Sequence, residues 1–345
     1  MIPNFKIETK NGDLTEQIRS RLERLVIRDE ASYKSDTMTL ELVDDGIQWP
    51  TNGLEFTVAL GYDNVLTTVG KFTTKHIGVS MSGRRILKIE AAAMEQSSSL
   101  KSQREQSWDS TTLGAIAEEI ARRNQLKPQV FDELKAIAIQ HEDQTESDLA
   151  FLCRLGRRYD LTVKVSGRYL IVAPQDKSGD PDGSNMPISI TSPLRFEFSG
   201  DQTQRYTGVR AFWYDNEAAE KKHVMYGKEG VVLELEYNKG SEQGARKAAE
   251  AKFREVVRKG KTLSLTVPGN TQLAAERKID ASGLGQGIDG EWVIKTVEHV
   301  YAPCGFESTV ECSVDGYKRE KVATGAGDET GVDDTDRDSV ISTHL

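Results

Sequence analysis

Four glycines, Gly283, Gly285, Gly287 and Gly290, form a G-x-G-x-G-x-x-G run. Such a run binds phosphate when a strand precedes it and a helix follows, because free amides and the helix N-terminus then face the anion. Here Trp292–Val300 reads as a strand, so the run is expected to be a hairpin loop. No G-x-x-x-x-G-K-[ST] sequence occurs. The histidines are His76, His141, His223, His299 and His344, and none stands in H-E-x-x-H or beside a cysteine at ligand spacing. Packing and turn roles are expected for them. Cys153, Cys304 and Cys312 form no C-x-x-C pair, and Cys153, between Leu152 and Leu155, is expected to be a buried inert thiol. There is no G-x-S-x-G nucleophile elbow. Among 54 acidic residues the sequence singles out no catalytic pair. Arg84-Arg85, Arg122-Arg123, Arg157-Arg158 and Lys221-Lys222 read as solvated basic faces, the second and third also favouring a helix C-terminus. The sequence therefore assigns no catalytic, cofactor-binding or metal-ligating residue.

Composition narrows the classes further. The chain has 345 residues and a formal charge of −9. That balance argues against a nucleic-acid coat, whose affinity rests on Lys and Arg density. Three cysteines argue against a disulfide scaffold. Mean hydropathy is −0.51, and no run reaches the ~18 apolar residues that span a bilayer. The N-terminus has no apolar signal core. A soluble protein, made in a reducing cytoplasm and without a membrane anchor, is expected.

Elements that would position side chains follow from periodicity. Residues 1–100 read mainly as strands: Met38, Leu40, Leu42; Phe56, Val58, Leu60; and Leu87, Ile89, Ala91 each alternate with polar or small residues. Leu14, Ile18, Leu22 and Leu25 instead suggest a helix over 14–25. In 101–180, Leu113, Ile116, Ala117, Ile120 and Ala121 predict a helix capped by Thr111 or Thr112 and ended by Asn124. A second helix is expected from Thr145, with Asp148 completing a capping box. Strands at Leu161–Val165 and Tyr169–Ala173 follow, joined by a Ser166-Gly167 turn. Residues 176–187 read as a linker. Strands return in 188–315, where Leu194, Phe196, Phe198, then Val231, Leu233, Leu235, Tyr237, then Leu263, Leu265, Val267 alternate. One helix interrupts them at 242–259, with Ser241 before it and Gly260 after it. From Thr324 onward Asp328, Glu329, Asp333, Asp334, Asp336 and Asp338 stand against Arg337 alone, as in a flexible acidic tail. The fold class read here is mainly β with an α/β insert (α+β).

Several segments together resemble the phage late control protein D family of contractile-tail baseplate hubs. The most specific is Trp108-Asp109-Ser110-Thr111-Thr112-Leu113-Gly114, then Ile120-Ala121-Arg122-Arg123-Asn124. It continues with Gln144-Thr145-Glu146-Ser147-Asp148 through Phe151-Leu152, Arg154-Leu155 and Arg157-Arg158-Tyr159. Leu60-Gly61-Tyr62, Gly70-Lys71-Phe72, Gly290-Glu291-Trp292 and Gly305-Phe306-Glu307 look similar too. The resemblance spans roughly 5–315.

It implies likeness to the N-terminal part of type VI secretion VgrG spike proteins. It further implies two tube-like β-barrel domains (1–100 and 181–320), a small α/β module (101–180), a tail (321–345) and a ring-forming homotrimer. The implied function is a structural hub in a virion baseplate, adapting a six-fold tail tube to a three-fold central spike. Tube, spike, tape measure and baseplate wedge proteins are the implied partners. No catalytic residue or cofactor is carried over, and specific nucleic-acid binding is not expected. Read as structural residues, Trp108 and Leu113 would start and anchor a helix, Phe151, Leu152 and Leu155 would be core or subunit contacts, and Gly61 and Gly70 would serve turns. An acidic lumen would repel DNA in passage. A tail-borne cell-wall hydrolase and a DNA-binding late-gene regulator are the alternatives.

Overall fold

Period-two runs of apolar residues build most of the molecule. The computed structural model describes residues 1–31, 35–51, 53–93, 98–166, 169–175, 186–200, 206–215, 218–239 and 241–314. The Ser166-Gly167 turn, nearly all of the 176–187 linker and the 321–345 tail lie outside them, as does the side chain of Tyr237.

The N-terminal elements are β1 (Pro3–Thr9), β2 (Gly12–Asp13), α1 (Thr15–Arg19), β3 (Leu22–Glu30), β4 (Thr37–Val43), β5 (Glu55–Tyr62), β6 (Val65–Ser82) and β7 (Arg84–Ala93). The central ones are β8 (Gln106–Thr112), α2 (Leu113–Arg123), β9 (Lys127–Val130), α3 (Asp132–Lys135), β10 (Ala138–Gln144), α4 (Asp148–Tyr159), β11 (Leu161–Ser166) and β12 (Tyr169–Pro174). The remainder are β13 (Ile188–Ile190), β14 (Arg195–Gly200), β15 (Gly208–Asp215), β16 (Glu220–Gly227), β17 (Val232–Lys239), α5 (Glu242–Lys259), β18 (Lys261–Pro268), β19 (Lys278–Ala281), β20 (Gly290–Ala302) and β21 (Gly305–Ser313).

One strand path crosses both β-rich regions, in the order β14-β18-β21-β20-β3-β4-β7-β6-β5-β1-β2. The join is β3 on β20, antiparallel from Tyr301↔Leu25 to Thr296↔Glu30. The N-terminal part of the path curls back on itself. The Tyr301 hydroxyl donates to the Pro3 carbonyl at 3.2 Å, and its ring meets Phe5 edge-on at 4.9 Å. Inside the curl lie Phe5, Ile7, Leu25, Met38, Leu40, Leu60, Phe72 and Leu87. Each such side chain contributes ~1.5–3 kcal/mol on burial. The central module packs α2 and α4 around Trp108, Leu113, Ile116, Phe151, Leu155, Val163 and Leu170. The three-stranded sheet β16-β15-β17 lies against α5 through Val209, Ala211, Ala245, Ala249 and Phe253.

Local chemistry explains the ends. Thr112 Oγ1 accepts from the Ala115 amide at 3.2 Å, and Ser241 Oγ from Gly244 at 3.1 Å, so α2 and α5 start where capping residues predict. Helix α5 spans the expected 242–259.

Other expectations are corrected. The helix read over 14–25 shrinks to α1, and Leu22 and Leu25 belong to β3. The last of the four apolar residues, Leu25, also opens a Leu25-Val26-Ile27 run, and its ladders to β4 and β20 outcompete local helix. The α4 cap is Ser147, whose Oγ accepts from Ala150 at 3.3 Å, not Thr145. β10 pairing holds the chain through Gln144, and Asp148 is taken by other donors. Trp108 lies in β8, ahead of the helix it was read as starting. Gly61 and Gly70 lie within strands. A Cβ on Gly61 would sit 2.1 Å from the Val65 carbonyl oxygen, and one on Gly70 2.5 Å from the Phe72 ring. Close approach, not a turn, requires glycine there. Leu194 and Phe196 alternate as read, yet they are 55% and 49% exposed.

Candidate functional site

The residues that carried the resemblance converge on one buried carboxylate. Asp148 opens α4 and is completely buried. Arg123, at the end of α2, reaches it through Nε at 2.8 Å and through a second guanidinium contact. Asn124 Nδ2 donates to it at 2.8 Å, as does Gln144 Nε2 at 2.8 Å. Trp108 Nε1 donates to Gln144 Oε1 at 3.1 Å, its ring stacks on Phe151 at 6.1 Å, and Arg123 lies over its face at 5.5 Å. Burial alone would raise the Asp148 pKa. The donors from Arg123, Asn124 and Gln144 outweigh it and hold the carboxyl below its ordinary value. A carboxylate so saturated cannot shuttle protons; it clamps α2, β8, β10 and α4 together. Arg123 is therefore not on a solvated face. Arg122 is, pairing with Glu119. Arg158 pairs with Glu142, which also holds Arg154 at 2.9 Å.

Two further joints fix the module to its neighbours. Asp160 ends α4 in a left-handed conformation (φ 58°) that Asp tolerates better than most residues. Its buried carboxylate takes the Arg258 guanidinium of α5, with Nη1 at 3.1 Å. At the other joint Lys164 of β11 lies 3.3 Å from Asp29 of β3. Asp29 also accepts from the Ala275 amide at 2.8 Å. Asp36 shares this joint and accepts from the Glu30 amide at 3.2 Å. Burial pushes Asp36 up to about 6, against the pull of Lys164. Sequence reading missed all three joints, although Arg123, Asn124, Gln144 and Asp148 stood within the quoted motif.

The other candidates scatter. The glycine run is the loop from β19 to β20, with no helix following. Its Leu284 and Gly285 amides donate to Asp289 at 2.8 and 3.1 Å, so they serve the turn itself. Hydrogen bonds from those amides hold Asp289 below the usual carboxylate range. His299 is buried against Ser308 Oγ at 2.7 Å, and burial pushes its pKa down to about 4. His141 is exposed between Asp109 and Asp143, whose hydrogen bonds raise its pKa. Cys153 is buried, and burial pushes its thiol up to about 11; Cys304 is exposed. Among the described residues no group of three or more His, Cys, Asp or Glu is arranged to hold a metal.

Unpaired strand surface is the remaining feature. β6 pairs with β7 out to Ser82↔Arg84, but with β5 only as far as Thr73↔Glu55. Its outer stretch, with Val79 and Met81 exposed, therefore meets β7 on one side only. β14 ends the strand path and shows Phe196, with Leu194 exposed just before it. Such edges are templates for pairing with another chain unless covered.

The profile of the phage tail baseplate hub (GPD) family matches residues 87–303. The chain belongs to that family. This baseplate hub chain is 28% identical to a probable baseplate hub protein of Escherichia phage 186, over 91% of its length and 93% of the relative's. Among solved structures, a tail protein from Neisseria meningitidis is similar with a TM-score of 0.69 at 13% identity, covering 92% of the hub chain and 98% of that one. An Escherichia coli type VI secretion component is similar with a TM-score of 0.52 at 14% identity, over 86% and 73%. At these identities the structures report a shared fold. The hub chain is thus a mainly β structural component of a contractile phage tail baseplate, and the likeness to type VI secretion proteins implied by its sequence holds.

Proposed function

We propose that three copies form a ring that seats the central spike on one face and nucleates the six-fold tail tube on the other. Each chain would contribute two tube-like β domains, 1–100 and 181–320, so that three chains present six. The α/β module 101–180 braces them, and residues 321–345 form a tail. The strand path shared by both β-rich regions carries this reading. It fixes the two β-rich parts at one distance and angle, which a symmetry adapter requires. The Asp160–Arg258 and Lys164–Asp29 joints fix the module to the same body. The role needs no catalytic step, in keeping with a structural hub family. Tape measure and wedge proteins are further partners on this reading, with synthesis in the host cytoplasm. Subunit contacts of the size needed would bury ~2,000 Å² or more per interface.

Native mass spectrometry of the full chain, alone and with its spike protein, tests the ring. A species near three times 38.3 kDa is expected. A monomer in both samples at micromolar concentration would sink the proposal.

A further inference from the structure

The sheet β16-β15-β17 stands apart from the long strand path, and α5 covers one of its faces. β16 is an edge strand. It pairs with β15 along its whole length, from Asp215↔Glu220 to Gly208↔Gly227, and with no other described strand. The backbone groups of residues 220–225 that point away from β15 meet no partner among the described residues. Edges of this kind accept a further strand unless their side chains forbid it.

The side chains along this edge are basic. Period two sets Lys221 and His223 on the face away from α5, beside Phe212 and Tyr214 of β15. Lys221 and His223 are exposed. The Lys221 ammonium stands 4.1 Å from the Phe212 ring centre and meets no carboxylate among the described residues. His223 lies 6.2 Å from the same ring. Lys222, on the other face, is already held by Asp215 at 2.7 Å and Glu220 at 3.4 Å. The strand thus offers an open ladder with an unopposed lysine beside it. A second copy is a poor occupant, because antiparallel pairing of β16 with itself gathers the lysines of both copies. An acidic strand meets the reverse, with a lysine and a histidine beside its carboxylates.

We propose that an acidic segment of a partner protein adds as a strand to the open edge of β16. Its backbone bonds to residues 220–225, and alternate carboxylates reach Lys221 and His223. Ladder bonds supply the affinity, and the charges select the sequence. The ring reading uses the long strand path and leaves this sheet unassigned, so the two proposals stand or fall separately.

The test uses the full chain and a fluorescent peptide of about ten residues that alternates Glu and Thr, at about 50 mM salt. Saturable binding is expected, weakened about fivefold or more by Lys221→Glu and lost at about 0.5 M salt. Lys75→Glu, at an exposed site on β6, should leave the affinity unchanged. Hydrogen exchange should show the amides of β16 protected by the peptide, while those of the outer stretch of β6 exchange as before. Absence of binding by this peptide would overturn the proposal, as would equal affinities for wild type and Lys221→Glu. So would binding that leaves the β16 amides unprotected, which would place the peptide elsewhere. Tighter binding of a single-stranded thymidylate oligomer would overturn it in favour of nucleic acid. Protection of β16 that grows with chain concentration, with no peptide present, would give the edge to a second copy instead.

Discussion

Asp148, fully buried, and Asp36, half-buried, are carboxylates whose pKa values move in opposite directions. Asp148 meets Arg123, Asn124 and Gln144 and is held ionised. Asp36 has a backbone amide and shares a single lysine with Asp29, and its pKa is pushed up to about 6. Burial raises both; at Asp148 the donors outweigh it, while at Asp36 burial is only partly offset by Lys164 and the like charge of Asp29 adds to the rise. The central clamp is therefore a permanent ion pair. The joint between module and β body keeps a carboxylate that its surroundings only half satisfy.

The largest effect that could break this contrast is at the clamp. Asp148→Ala strands Arg123 in the interior and should lower stability by ~3–5 kcal/mol. Urea unfolding of the variant measures it, and a loss below ~1 kcal/mol would mean that the clamp is no stronger than a surface pair. Arg258→Ala leaves Asp160 buried without its guanidinium and should cost ~3 kcal/mol, while Arg258→Met should recover part of that loss. If both variants unfold alike, desolvation of Asp160 is not what the arginine offsets.

Asp36 should respond with the opposite sign. Its folded pKa lies above its unfolded value of 3.8, so the ionised form costs stability above pH ~6. Below about pH 3 both states are protonated and the cost is gone. Asp36→Asn keeps an acceptor for the Glu30 amide and removes the charge. It should raise stability by about 1–2 kcal/mol at pH 8 and leave it unchanged near pH ~3. Thermal melts across that range decide it; a destabilised variant at pH 8 would show that attraction to Lys164 outweighs burial. The smallest stability change belongs to the edge strand. Phe196→Ser should shift unfolding by less than ~0.5 kcal/mol because half of the ring is already in water. If β14 docks another chain, the same variant should lose assembly by sedimentation.

Much of the fold was readable along the chain. Alternation located β4, β5, β7 and β18, and Ser241 with Gly260 bounded α5. The failures share a cause. Leu22 and Leu25, three apart, fit helix spacing; a β-bulge between Leu22 and Arg24 and partners on β4 and β20, about 15 to 275 residues away, put both in the strand instead. Asp148 looked like a cap because local reading offers an acid near a helix start its own amides first. Leu194 and Phe196 looked like core because alternation reports which face a side chain takes, not whether anything covers that face.

For the candidate site, the sequence held the participants but not their meeting. Trp108, Arg123, Asn124, Gln144 and Asp148 could be quoted in order as one motif. That order placed the chain in its family, and composition with spacing pointed away from metal and nucleotide sites. Strand and helix periods, caps and the acidic composition of 324–345 are local properties, fixed by backbone sterics and neighbouring side chains. Which carboxylate is ionised, which strand edge stays open and which β-rich region joins which are decided by groups distant in sequence. Desolvation and ladder pairing act through space, so only the tertiary structure could set them.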